Sequence, residues 1–103
     1  MTGLELREIL WGKWGRSFDV QLRQLKGEWY FQVMWKYLEQ ASFPLSETAY
    51  EEHLQAIATY LAEWGAAQQV QDYLAETKER PRVGKAISIR LELGARASEW
   101  TLD

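Results

Sequence analysis

Cysteine is absent from the 103 residues. Its absence excludes disulfides, thiolate nucleophiles, zinc fingers and cysteine-ligated clusters together, and it suits a reducing compartment. Histidine occurs once, as His53. A metal site would therefore need carboxylates, and Glu51 and Glu52 do not share a helix face. A Ser-His-Asp arrangement would have to recruit His53 without any Gly-x-Ser-x-Gly elbow. No apolar run approaches the ~18–20 residues of a membrane helix, and MTGLELREIL lacks the basic-then-apolar pattern of a signal peptide. There is no phosphate cradle of the GxxxxGK[ST] or GxGxxG type, no internal repeat and no low-complexity tract. Positive charge is not in excess either: 12 Lys and Arg stand against 15 Asp and Glu, for a net charge of -3 and a pI near 5.2. That is not the balance of a strongly basic nucleic-acid domain, so any anion binding must come from a local patch. The expectation is a soluble, cytoplasmic protein.

Aromatics are plentiful, with 6 Trp, 5 Tyr and 3 Phe. Each buried ring removes on the order of 150–250 Å² from water, so few residues can build a large core. A hydrophobic share of 47% and a charged share of 26% describe a globular chain,. Its length fits one domain, residues 1–103.

The order of periodicities gives the architecture. Thr2 and Glu5 have capping-box spacing, Leu6, Ile9, Leu10 and Lys13 follow at helical spacing, and Gly15 can take the left-handed stop; the first helix spans residues 4–14. The period then changes to two. Phe18, Val20 and Leu22 alternate with polar residues, as do Trp29, Phe31, Val33 and Trp35 after Lys26-Gly27. A two-residue loop pairs Leu22 with Phe31, Val20 with Val33 and Phe18 with Trp35, all on one face; a one-residue slip would oppose apolar to polar positions. A bulged loop with left-handed Gly27 is the other option. Residues 37–43 are expected to leave the sheet.

Ser46 is the expected N-cap of the second helix, with Leu45 and Tyr50 at the hydrophobic-staple positions. Tyr50, Leu54, Ile57, Leu61 and Trp64 form its apolar stripe, and Gly65 ends it. Val70, Tyr73, Leu74 and Thr77 mark a third helix that Pro81 forbids from continuing. Ile87, Ile89, Leu91 and Leu93 alternate as a third strand, with its place beside the first or second strand left open. The fold class is α+β, in the order α-β-β-α-α-β: a small three-stranded, mainly antiparallel sheet with one face covered by helices. The second and third helices are the expected cover. The other face would show Asp19, Gln21, Arg23, Tyr30, Gln32, Met34, Lys36, Ser88, Arg90 and Glu92.

Charge is concentrated around the third strand. Lys78, Arg80, Arg82 and Lys85 approach it on a segment bearing Pro81 and Gly84, and Arg90, Arg96 and Trp100 follow. Such a set clamps phosphate, carboxylate or an acidic partner. The plainer reading is a solvated connector whose charge complements the C-terminal end of the third helix. No aromatic is interleaved as single-strand binding would want. A strand of seven residues separates approach from exit by about 20 Å, which counts against one joint site. Trp29, Trp35 and Trp64 sit on buried faces. Trp11 and Trp100 are either local lids or interface anchors. His53 reads as a flank of the second helix's stripe, and Glu51, Glu52, Glu63, Asp72 and Glu76 as a solvated face.

KWGRSFDV at residues 13–20, VMWKYLEQ at 33–40, SFPL at 42–45, TKERPRVGKA at 77–86 and LGARASEW at 93–100 resemble a small family of uncharacterised proteins from cyanobacteria and chloroplast-bearing eukaryotes. That family is a domain of unknown function. The resemblance implies a single α+β domain, in an arrangement not shared with well-known folds, and a photosynthetic cell, with the plastid as the setting of the eukaryotic relatives. It supplies no reaction, cofactor or catalytic residue.

No catalytic, cofactor-binding or metal residues are expected. The function expected is a non-enzymatic binding or accessory module that holds an acidic protein or other anionic partner. RNA or nucleotide binding through the same residues is the alternative. A small-molecule enzyme with a pocket beside the sheet is a further one, and it would require an apolar pocket holding a carboxylate with a raised pKa.

Overall fold

The computed structural model describes residues 1–93. Three helices and three strands follow in the expected order: α1 (Gly3–Trp14), β1 (Phe18–Leu25), β2 (Glu28–Tyr37), α2 (Glu47–Glu63), α3 (Ala67–Glu76) and β3 (Ile87–Arg90). The sheet is antiparallel throughout, in the order β1-β2-β3, which settles the position of the third strand.

The local signals in the sequence form the contacts they imply. The Thr2 hydroxyl accepts from Glu5 N at 3.1 Å and Glu5 Oε1 accepts from Thr2 N at 2.8 Å, a complete capping box,. Gly15 closes α1 at φ 71°, and Ser46 Oγ caps α2 by accepting from Ala49 N. The hairpin loop has two residues, with Lys26 at φ 52° and Gly27 at φ 81°. Positive φ at both centres matches the right-handed twist of the flanking strands, so the bulged alternative is not adopted there.

The bulge falls at the far end of the hairpin instead. Leu22 faces Phe31 and Val20 faces Val33 as expected, but Phe18 faces Tyr37 and not Trp35. Between these pairs β2 uses two more residues than β1, and the extra length turns Trp35 out of the core row. Tyr37 takes its place, with its ring edge-on to Phe18 at 5.9 Å. Trp35 lines a hollow on the opposite face with Met34, Phe43 and Leu45. The core assignment of Trp35 is thereby corrected, and Tyr37 is still strand.

β3 is also shorter than its alternation. Leu91 N donates to Trp29 O at 2.8 Å. Two residues on, Leu93 would face the hairpin turn, because β2 begins only at Glu28. The ladder therefore ends while burial still alternates, with Leu91 buried and Leu93 half-buried.

One apolar face carries the core: Leu6 and Leu10 of α1, Val20, Phe31, Val33 and Ile87 of the sheet, Leu54, Ile57 and Leu61 of α2, and Val70 and Leu74 of α3. The helical cover includes α1 as well as α2 and α3, which widens the expectation from the sequence. α1 reaches α2 closely at Gly3, where a Cβ would stand 2.6 Å from Gln55 N and 2.7 Å from its Cα. Gly3 N donates to Gln55 Oε1 at 2.9 Å in the same contact. Tyr50 is fully buried and donates its hydroxyl to Phe18 O at 2.7 Å. Phe43, rather than Leu45, stacks edge-on against Tyr50 at 5.9 Å, and Leu45 is exposed.

Candidate binding site

Pro81 is buried, and it anchors a turn whose other residues point to water. Arg82 N donates to Lys85 O at 3.0 Å and Lys85 N to Arg82 O at 2.7 Å, closing the turn over Val83 and Gly84. Gly84 has φ 80°, a conformation that a side chain would strain,. Val83 at the tip is 90% exposed. Lys78, Arg80, Arg82 and Lys85 are all exposed, and none has an ion-pair partner among the described residues. Just past the end of α3, Lys13 Nζ donates to the carbonyl of the C-cap residue, Thr77, at 2.5 Å.

The remaining charge is divided. Arg90 stands across the ladder from Tyr30, and its Nη1 lies 3.3 Å from Glu28 Oε2. It is separated from the turn by the length of β3 and carries its own carboxylate. Arg96 and Trp100 lie outside the described residues. Lys78, Arg80, Arg82 and Lys85 thus all lie exposed on the segment before β3, with Arg82 and Lys85 paired across its turn, and Arg90 stands apart. Trp11 is 52% exposed beside Leu4 at a shallow hollow on the outer side of α1.

The edges of the sheet explain where open surface remains. On β3, Gln69 of α3 donates to Arg90 O and accepts from Glu92 N, both at 2.9 Å. On β1, Tyr50 donates to Phe18 O, and His53 Nε2 donates to Val20 O at 2.6 Å. Outward-facing groups recur every second residue, so Leu22 and Gln24 continue this edge past the reach of His53. There a cleft of about 580 Å³ opens between β1 and α2, lined by Leu22, Trp29, His53, Ile57, Tyr60 and Trp64. Trp64 lies between the other two rings, 4.9 Å from Trp29 and 5.6 Å from Tyr60 by centroid.

The strand alternation puts Asp19 on the open face of the sheet. Its Oδ1 is buried, has no hydrogen-bond donor among the described residues, and stands 3.6 Å from His53 Nε2. Burial pushes this carboxyl above the ordinary carboxylate value, while His53, the Val20 N–H, Gln21 and Lys36 pull it back,. It borders the hollow of about 380 Å³ formed by Met34, Trp35, Phe43 and Leu45. A carboxyl with a raised pKa beside apolar walls is the feature that the enzyme alternative asked for. Among the described residues, however, the lining of that hollow carries no hydroxyl or thiol. Among the described residues no cluster of His, Asp and Glu could hold a metal, and no helix is long and apolar enough to cross a membrane. The signal for the His53 contact was present in the sequence: His53 follows Tyr50 by three residues and precedes Ile57 by four, so it rides the rim of the buried stripe.

A solved structure is similar along the whole chain. The solution NMR structure of the Alr2454 protein from Nostoc sp. strain PCC 7120 has 59% sequence identity and a TM-score of 0.89, covering 100% of this chain and 99% of that one. No curated protein matches. The family model for the domain of unknown function DUF3067 matches residues 4–101. On that extent of match, the chain belongs to the DUF3067 family.

Proposed function

We propose that this protein is a non-enzymatic binding module of a photosynthetic cell, and that it holds an acidic protein on the turn over residues 78–85. The observation that carries the reading is the turn itself. Four exposed cations with no carboxylate partner among the described residues lie along the segment that carries an almost fully exposed valine, on a chain whose net charge is -3. Unpaired charges on a short, anchored turn lose little freedom on meeting a partner, and they set its orientation. The similarity to a protein of the cyanobacterium Nostoc supports the choice of such a cell; the compartment proposed is the cytoplasm, and the plastid in eukaryotic relatives. Capture from a cyanobacterial extract tests the reading. The wild-type chain should retain an acidic protein that a variant with Arg80→Glu and Arg82→Glu loses; equal recovery by both contradicts it. RNA retained on a filter at low salt, with no protein captured, would favour the nucleic-acid alternative instead.

A further inference from the structure

Asp19 carries a charge that the fold leaves without a full partner. Its side chain keeps only 19% of its surface open to water. Oδ1 is buried, and no donor reaches it among the described residues. His53 Nε2 stands 3.6 Å away, but it donates to Val20 O. A largely buried carboxylate without a hydrogen-bonded cation costs stability. Burial is accordingly the largest influence on this carboxyl, and it pushes the pKa up,.

The surroundings of that charge have the make-up of a small-molecule site. Asp19 lines a hollow of about 380 Å³ whose walls include Met34, Trp35, Phe43, Pro44 and Leu45. Apolar and aromatic walls with one placed polar group are the usual composition of such pockets, and the volume lies in their range. The bulge in β2 is what brings Trp35 to this hollow and out of the core row, and bulges recur where a side chain is re-aimed. Pro44 and Leu45 are exposed, and Met34, Trp35 and Phe43 are half-buried, so the walls still face solvent. Lys36 borders the same hollow, but it is exposed and makes no ion pair with Asp19 among the described residues.

We propose that this hollow binds a small organic ammonium with an apolar body: the Asp19 carboxylate pairs with the ammonium, and Trp35, Phe43 and Leu45 cover the apolar part. The ligand supplies the counter-charge that the fold does not, and a nearby cation favours the ionised carboxylate. Aromatic walls add to the preference for a cation over a neutral molecule of the same shape. The site shares no residue with the turn over residues 78–85, so the two readings stand or fall separately.

Titration of the ¹⁵N-labelled protein with phenethylamine, and separately with phenethyl alcohol, tests this. Both probes carry the same ring and chain, but only the amine is charged at neutral pH. The Trp35 indole N–H and the Asp19 and Phe43 amides should shift with the amine, which should bind about tenfold or more tightly than the alcohol. Asp19→Asn keeps the size of the side chain and removes its charge. That variant should melt at or above the wild-type temperature, which shows it folded, and should bind the two probes alike. Equal binding of amine and alcohol by the wild type would reduce the hollow to an apolar recess and overturn the proposal. A preference for the amine that survives in Asp19→Asn overturns it too, as does a spectrum in which these three residues do not move.

Discussion

His53 of α2 donates from Nε2 to the backbone oxygen of Val20 at 2.6 Å. A carbonyl only accepts, so this nitrogen carries the proton. The bond ties the middle of α2 to an edge strand at a position where a ladder partner would otherwise stand, one turn after Tyr50 does the same at Phe18. His53→Leu should therefore cost about 1 kcal/mol, with the Val20 carbonyl left to find water. Urea unfolding of the variant measures the loss.

The carboxyl next to that bond should make stability depend on pH in a particular direction. Asp19 has a folded-state pKa raised above its ordinary value of 3.8, chiefly by burial. Its contribution to stability is greatest when it is protonated, below the unfolded value, and is lost as pH rises through the folded value. Asp19→Asn stays neutral at all pH values. The variant should melt higher than wild type at neutral pH, and the gain should fade as pH drops through the raised value toward 3.8. A gain that grows with acidification would reverse the sign assigned here.

Two glycines of α1 should respond oppositely to the same change. Gly3 has the backbone of Gln55 within 2.7 Å of where a Cβ would go, whereas Gly12 has nothing within 4 Å. Gly3→Ala must push α1 away from α2 and should cost about 1–3 kcal/mol. Gly12→Ala should stabilise by up to about 1 kcal/mol through helix propensity. Thermal melts of the two variants side by side separate packing from propensity.

Gln69 acts as a substitute for a neighbouring strand at the outer edge of β3. Gln69→Ala removes both of its bonds, to Arg90 O and Glu92 N. Both are exposed, so the expected cost is about 1 kcal/mol in total. The sharper readout is hydrogen exchange: the Glu92 amide should lose protection while the Leu91 amide, bonded to Trp29 O, keeps it.

What the sequence revealed and what it concealed follow from the range of each interaction. Caps, stops and the hairpin register are local, and residues a few positions apart determine them: Thr2 with Glu5, Ser46 with Ala49, Leu22 with Phe31. The bulge that turns out Trp35 leaves no mark on the alternation, because Tyr37 is apolar too and fits the same row. The end of β3 depends on where its partner strand starts, not on its own residues. The pairing of Asp19 with His53 joins positions 34 residues apart in sequence (53 − 19) through the packing of α2 on β1. On the functional side, the basic residues were visible as a cluster. Their division into four exposed cations on the turn, and one Arg90 already facing Glu28, required the path of the chain.

The central claim is that the turn over residues 78–85 touches carboxylates of a partner, and zero-length carbodiimide cross-linking in extract tests it most directly. Lys78 and Lys85 supply the amines, and the exposed Lys26 and Lys36 elsewhere on the same chain serve as internal controls. The account predicts products concentrated at Lys78 and Lys85, joined to Asp or Glu of a partner and lost with Arg80→Glu and Arg82→Glu. Products spread equally over Lys26 and Lys36, or absent from Lys78 and Lys85, would contradict it.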